Sequence, residues 1–93
     1  MSGRSVEITE NGRSGSVTYR EGANTAEFYW EFAASPALAI VSGASAQDWP
    51  RRHPWAADRQ AEIYEFVGAE IVRQKAPRAT CKIDLESGWI TIV

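Results

Sequence analysis

The chain has 93 residues, a net charge of −2 at neutral pH and a pI near 5.3, which leaves room for one domain with a modest core. Because nucleic acids and anionic membranes attract proteins through a positive field, this charge argues against a general binder of either. A single cysteine, Cys81, precludes an internal disulfide and favours a reducing, cytoplasmic setting.

The first third of the chain has the pattern of a strand meander. Apolar and polar residues alternate in residues 6–9 and again in residues 17–20. Between them, Asn11 and Gly12 form a pair that suits a two-residue hairpin, because both residues readily adopt positive φ. The pattern therefore predicts a β-hairpin near the start of the chain.

The strongest strand pattern covers residues 25–32. In a strand, Phe28, Trp30 and Phe32 fall on one face, whereas glutamates and one tyrosine fall on the other. We expect the aromatic face to pack against the core. Residues 38–41 form a short apolar run that suits either a fourth strand or a small helical turn.

One long helical pattern occupies residues 54–75, where apolar residues recur at the spacing that places them on one side of a helix. Pro54 suits the first helical position, since its missing N–H would be unsatisfied there in any case. Pro77 ends the pattern, because the residue before a proline is biased away from helical geometry. A helix of this length would extend about 33 Å and cross a whole small sheet.

Two charged residues, Arg59 and Glu70, fall near the apolar side of this predicted helix. Long charged side chains at the margin of an apolar stripe usually reach solvent. A carboxylate that faced a pocket would instead have a raised pKa and would be a functional candidate. Both interpretations of Glu70 fit the sequence.

The last part of the chain predicts a second hairpin, with residues 80–85 and 89–93 on either side of a turn that contains Gly88. Both faces of the final strand carry apolar residues, so that strand is either central in the sheet or covered by a partner subunit. An order along the chain of several strands, one helix and then two more strands favours an α+β fold. We expect a mostly antiparallel sheet of five or six strands with the helix packed on one face, in one domain over residues 1–93.

The strongest candidate site is the segment of residues 49–55. It places two arginines and a histidine between two tryptophans, and prolines stiffen it. Guanidinium groups and ring faces held in a stiff loop lose little entropy on binding, and the N-terminal end of the predicted helix also favours anions. The predicted ligand-binding residues are Trp49, Arg51, Arg52, His53 and Trp55.

We therefore expect a small binding or protein-interaction module that contacts an anionic small molecule, another protein or a second copy of itself. An alternative is a small-molecule enzyme in which Glu70 or His53 acts as acid or base. Arg51 or Arg59 would then hold an anionic group. In a plainer interpretation of residues 49–55, the two tryptophans plug the end of the core and the arginines are solvated. A third possibility is a structural subunit or inhibitor-like partner of another protein, which associates through a flat aromatic sheet face that includes Tyr29 and Trp89.

The sequence contains none of the common catalytic motifs: no P-loop, no dinucleotide-binding glycine pattern, no nucleophile elbow and no paired-histidine or paired-cysteine metal motif. One histidine and one cysteine cannot fill a structural zinc site, so we predict no metal and no cofactor. The N-terminal residues lack a signal-peptide pattern, and no stretch approaches the roughly 20 apolar residues of a membrane span. We expect a cytoplasmic protein that binds neither nucleic acid nor membranes.

Overall fold

The computed structural model describes residues 3–93, in which six strands form one antiparallel sheet. The strands are β1 (Arg4–Asn11), β2 (Ser14–Glu21), β3 (Asn24–Phe32), β4 (Ala39–Ser42), β5 (Cys81–Asp84) and β6 (Trp89–Ile92). Their order across the sheet is β1-β2-β3-β4-β6-β5. The predicted α+β fold, a meander followed by a C-terminal hairpin with one long helix, is confirmed. Met1 and Ser2, which belong to the N-terminal segment without a signal-peptide pattern, lie outside the described residues.

The long helix begins later than the sequence pattern predicts. A short helix, α1 (Trp49–Arg52), and a 3₁₀ turn (Pro54–Ala56) precede the long helix α2 (Gln60–Lys75). The predicted start at Pro54 is wrong, because the Ala56 carbonyl accepts the amide N–H of Arg59 at 2.9 Å and the indole N–H of Trp49 at 2.8 Å. These bonds close a tight turn, and Arg59 lies outside helical geometry with φ −119° and ψ 19°.

The core lies between α2 and one face of the sheet. Phe28 and Trp30 are buried on that face, as predicted, against the buried side of the helix. Phe32 differs from the prediction, since its side chain is 52% exposed. It lies beside the C-terminal end of α2, where Lys75 and Ala76 border an open cavity instead of filling it.

The final strand β6 is central, between β4 and β5, so its two apolar faces have different surroundings. Ile90 and Ile92 are buried on the helix side, whereas Trp89 is 48% exposed on the opposite, outer face. Tyr29 is exposed on the same outer face, and Ser42 is paired with both residues across the sheet. Within residues 3–93, no helix is long and apolar enough to cross a membrane.

Candidate functional site

The candidate segment of residues 49–55 is anchored by Trp49, whose side chain is 1% exposed. Its indole N–H donates to the Ala56 carbonyl, and its ring packs against Tyr64 and His53 with centroids 5.7 and 4.4 Å away. A buried indole whose polar atom is satisfied fixes the backbone around it. Trp49 therefore positions the segment and does not present its ring to solvent.

Two arginines project from this anchor at the end of α1. Arg51 and Arg52 are exposed, and Arg51 forms an ion pair with Asp48. The three side chains border a shallow concavity of about 300 Å³, which we call the arginine surface. The N-terminus of α2 (Gln60–Lys75) is not part of it, because no residue of that helix borders the concavity. The helix-end contribution that the sequence suggested therefore does not reach the arginines.

The other two predicted site residues, His53 and Trp55, are half-buried behind the arginine surface. Burial lowers the pKa of His53, and the positive charge of Arg52 lowers it further, so both effects favour the neutral imidazole. Trp55 stacks on Tyr19 at a centroid distance of 6.4 Å and meets the His53 ring edge-to-face at 6.2 Å. The carboxylate of Asp48 pairs with Arg51.

Glu70 and Arg59, one acid and arginine pair of the alternative enzyme hypothesis, do not converge. Glu70 accepts hydrogen bonds from Arg73 at 2.8 and 3.1 Å, and mainly for that reason its pKa is lowered, not raised as an acid catalyst would require. Arg59 precedes α2 and lies about 16 Å from Glu70 along the helix axis, from the 1.5 Å rise per residue. A small substrate could not contact both.

Arg59 instead belongs to a charged cluster that joins the end of β2 to the start of α2. It donates two hydrogen bonds to Glu21, at 2.8 and 3.1 Å, and two to Glu62. The buried Tyr19 hydroxyl donates to Glu21 at 2.6 Å, and the Arg4 guanidinium pairs with Glu62 at 2.9 Å. The Arg59 guanidinium first, then the Tyr19 hydroxyl, lowers the pKa of Glu21 to about 2. Because the charges in this cluster are paired, we assign it to holding the fold together.

Acid should weaken this cluster. The pKa of Glu21 in the folded protein, about 2, lies below its ordinary value of 4.5, so the ionised carboxylate stabilises the fold above about pH 4.5. That stabilisation is lost as the pH falls towards 2. We expect the Glu21→Gln variant to unfold more easily than wild type at pH 7, with the difference shrinking between pH 4.5 and 2, as measured by urea denaturation.

The control for this experiment is Glu27→Gln, which removes an exposed carboxylate that has no ion-pair partner in residues 3–93. Its urea midpoint should follow that of wild type at each pH. An equal loss of stability in the two variants would show that Glu21 contributes only through the overall charge of the protein.

A second region, which the sequence analysis did not identify, is an apolar cavity of about 340 Å³ below the C-terminal end of α2. Side chains from five strands and the helix form its wall, among them Ile8, Val17, Trp30, Val41, Ile71 and Ile92. The Trp30 indole N–H is satisfied by the Thr9 carbonyl at 2.9 Å. Ion-paired Glu10 and Lys75 lie at the rim. None of the five predicted site residues lines this cavity.

Comparison with known protein families, curated proteins and solved structures finds no match for this chain. In residues 3–93, no group of three or more histidine, cysteine, aspartate and glutamate side chains is arranged to hold a metal ion. The arginine surface and the apolar cavity are two regions of the described residues whose geometry suits a ligand. They lie at opposite ends of α2, which is about 24 Å long at 1.5 Å per residue.

Proposed function

We propose that this protein is a small binding module that holds an anionic ligand or partner on the arginine surface. The observation that supports this is the contrast between Trp49, which is 1% exposed, and Arg51, whose side chain is 74% exposed. The buried tryptophan fixes the backbone of α1, so the backbone that carries both arginines is ordered before a ligand binds. Less entropy is then lost when they bind.

The chemistry of the arginine surface favours carboxylate and phosphate groups. Planar guanidinium groups donate paired hydrogen bonds to such anions. Arg52 has no ion-pair partner in residues 3–93, and Arg51 is held only by the half-exposed Asp48. An exposed ion pair of this kind contributes only about 0.2–1 kcal/mol, so an incoming anion can replace Asp48 at small cost.

The test is binding of a fluorescein-labelled hexaglutamate peptide, measured by fluorescence anisotropy at low salt with pyrophosphate as competitor. We expect saturable binding by the wild-type protein. In the Arg51→Ala/Arg52→Ala variant the Kd should rise at least tenfold, because both donors to the anion are lost. The free energy of unfolding of that variant, measured by urea denaturation, should stay within about 0.5 kcal/mol of wild type, since both side chains are on the surface.

A matched control separates this site from general charge attraction. Arg20→Ala/Arg78→Ala removes two exposed arginines elsewhere and gives the same change in net charge, from −2 to −4. It should retain most of the affinity. Equal weakening in both double variants, or no binding by wild type, would overturn the proposal.

A homodimer is a second proposal, and the outer sheet face is the observation that favours it. Tyr29 and Trp89 are each about half exposed, in one row across the sheet with Ser42 between them. Exposed aromatic groups of this kind mark association surfaces. Light scattering on the wild-type sample used for the peptide titration gives the mass directly.

We also place the protein in the cytoplasm, a proposal supported by its single cysteine, Cys81.

A further inference from the structure

The apolar cavity below the end of α2 reaches the core of the protein. Three side chains in its wall, Val17, Val41 and Ile92, are almost completely shielded from solvent. Packed protein interiors leave few voids larger than a water molecule. A space of about 340 Å³ beside these side chains therefore differs from ordinary packing.

The cavity volume sets the size of the ligand. An engineered apolar cavity of about 150 Å³ takes up benzene, so about 340 Å³ corresponds to roughly 12–14 non-hydrogen atoms. The volume also falls at the lower end of the range for small-molecule sites, about 300–1,000 Å³. A ten-carbon acid has 12 non-hydrogen atoms and matches this space.

The rim of the cavity carries more positive than negative charge. Lys75 and Glu10 form an ion pair of 2.6 Å there, and both side chains are about half exposed. The Arg13 guanidinium lies 5.9 Å from the centre of the Phe32 ring, which borders the cavity. Arg13 has no carboxylate partner in residues 3–93. Lys75 in the lining and Arg13 beside Phe32 therefore outnumber the single carboxylate of Glu10, which favours an anionic head group.

The apolar lip of the cavity would be covered by the same ligand. Phe32 and Leu38 border the cavity and are 52% and 50% exposed. A chain that enters between them would shield apolar surface that water now contacts, which is favourable. The wall supplies no free polar side chain for a hydrophilic ligand, since the Trp30 N–H is already bonded to the Thr9 carbonyl.

We propose that this cavity binds a medium-chain monocarboxylate, with the hydrocarbon body against Trp30, Ile71 and Ile92 and the carboxylate at the mouth beside Lys75 and Arg13. The carboxylate takes the place of Glu10 as the partner of Lys75. That exchange costs little, because the existing ion pair is exposed. This site is distinct from the arginine surface and does not depend on it.

The experiment compares decanoate, 1-decanol and decylamine, each below the concentration at which it forms micelles, by isothermal titration calorimetry with the wild-type protein. We expect one decanoate per chain, with an affinity at least tenfold above that of decylamine and several-fold above that of 1-decanol. In Arg13→Gln/Lys75→Gln, decanoate should bind at least fivefold more weakly and 1-decanol with unchanged affinity. Tighter binding of 1-decanol or decylamine, or no binding of decanoate, would overturn the proposal.

Variants that fill the cavity locate the site. Ala39 and Ala76 both line the cavity, so Ala39→Leu and Ala76→Leu should each abolish decanoate binding while the protein stays folded by circular dichroism. Ala61→Leu adds the same atoms to the exposed side of α2 and should bind as wild type does. Decanoate binding that survives in a folded filling variant would contradict this location. If light scattering showed a dimer of the wild-type protein, and both filling variants were monomers, the cavity would be assigned to a second copy of the chain instead.

Discussion

Replacing Trp49 by alanine is expected to lower the free energy of unfolding by about 3 to 5 kcal/mol, the range for removing a buried tryptophan. The side chain is 1% exposed and packs against Tyr64, so its loss leaves a cavity at the junction of α1 and α2. The Ala56 carbonyl would also lose the indole N–H that it accepts at 2.8 Å. Urea denaturation followed by circular dichroism measures the change.

Two further variants divide this effect into its parts. Trp89→Ala removes the same atoms from a side chain that is 48% exposed on the outer sheet face, and we expect a loss of less than about 1.5 kcal/mol. Trp49→Phe keeps a ring but removes the N–H, and because the Ala56 carbonyl still accepts the Arg59 amide N–H, the lost hydrogen bond should cost only about 0.5–1.5 kcal/mol. If Trp49→Ala proved no more harmful than Trp89→Ala, Trp49 would not be the anchor of the arginine surface.

The architecture could be predicted from the sequence because each element carries its own local pattern. Strict alternation in residues 25–32 corresponds to β3, and the helical spacing of apolar residues corresponds to α2. The start of α2 could not be predicted in this way. Residues 54–59 continue the helical pattern, but the Ala56 carbonyl is bonded to Trp49 and Arg59. Whether the helix begins at Pro54 or at Gln60 therefore depends on where the Trp49 indole packs in three dimensions.

The candidate site could be predicted only in part for the same physical reason. Composition identifies residues 49–55 as unusual, but it cannot tell which tryptophan faces inward. Trp49 is buried because Tyr64 of α2 packs against it, and Trp55 is half-buried because it stacks on Tyr19 of β2. Both partners come from other elements. The two arginines remain exposed, and they are the part of the predicted site that a ligand can reach.

The charged cluster and the apolar cavity leave no signal in the sequence, because both depend on contacts between distant residues. Glu21 and Arg59 are 38 positions apart, and nothing local to either indicates the pair. The cavity lies where β3 extends past the C-terminal end of α2, so that no helix covers Phe32 and Leu38. Only the relative lengths of strand and helix in three dimensions reveal it.

Replacing Gly88 by alanine is expected to cost about 2 to 5 kcal/mol, the second large effect. Gly88 has φ +82°, which costs an L-residue roughly 1–2 kcal/mol. A Cβ there would also overlap the Ala44 carbonyl and lie 2.9 Å from the Ser45 nitrogen, which adds about 1–3 kcal/mol. Both neighbours are backbone atoms, so no side-chain rotation relieves the overlap.

The consequences of Gly88→Ala should extend beyond its turn, because the Gly88 carbonyl accepts from the Tyr64 hydroxyl at 2.9 Å and from the Gly43 N–H at 2.9 Å. Gly12→Ala is the matched control. Gly12 has φ +71° but no atom within 4 Å of an added Cβ, so it reports the cost of positive φ alone. The difference between the two urea midpoints, converted to free energy, measures the overlap with Ala44. Equal losses would mean that the β5–β6 turn can move away from Ala44 freely, and that the Tyr64 hydrogen bonds do not hold it in place.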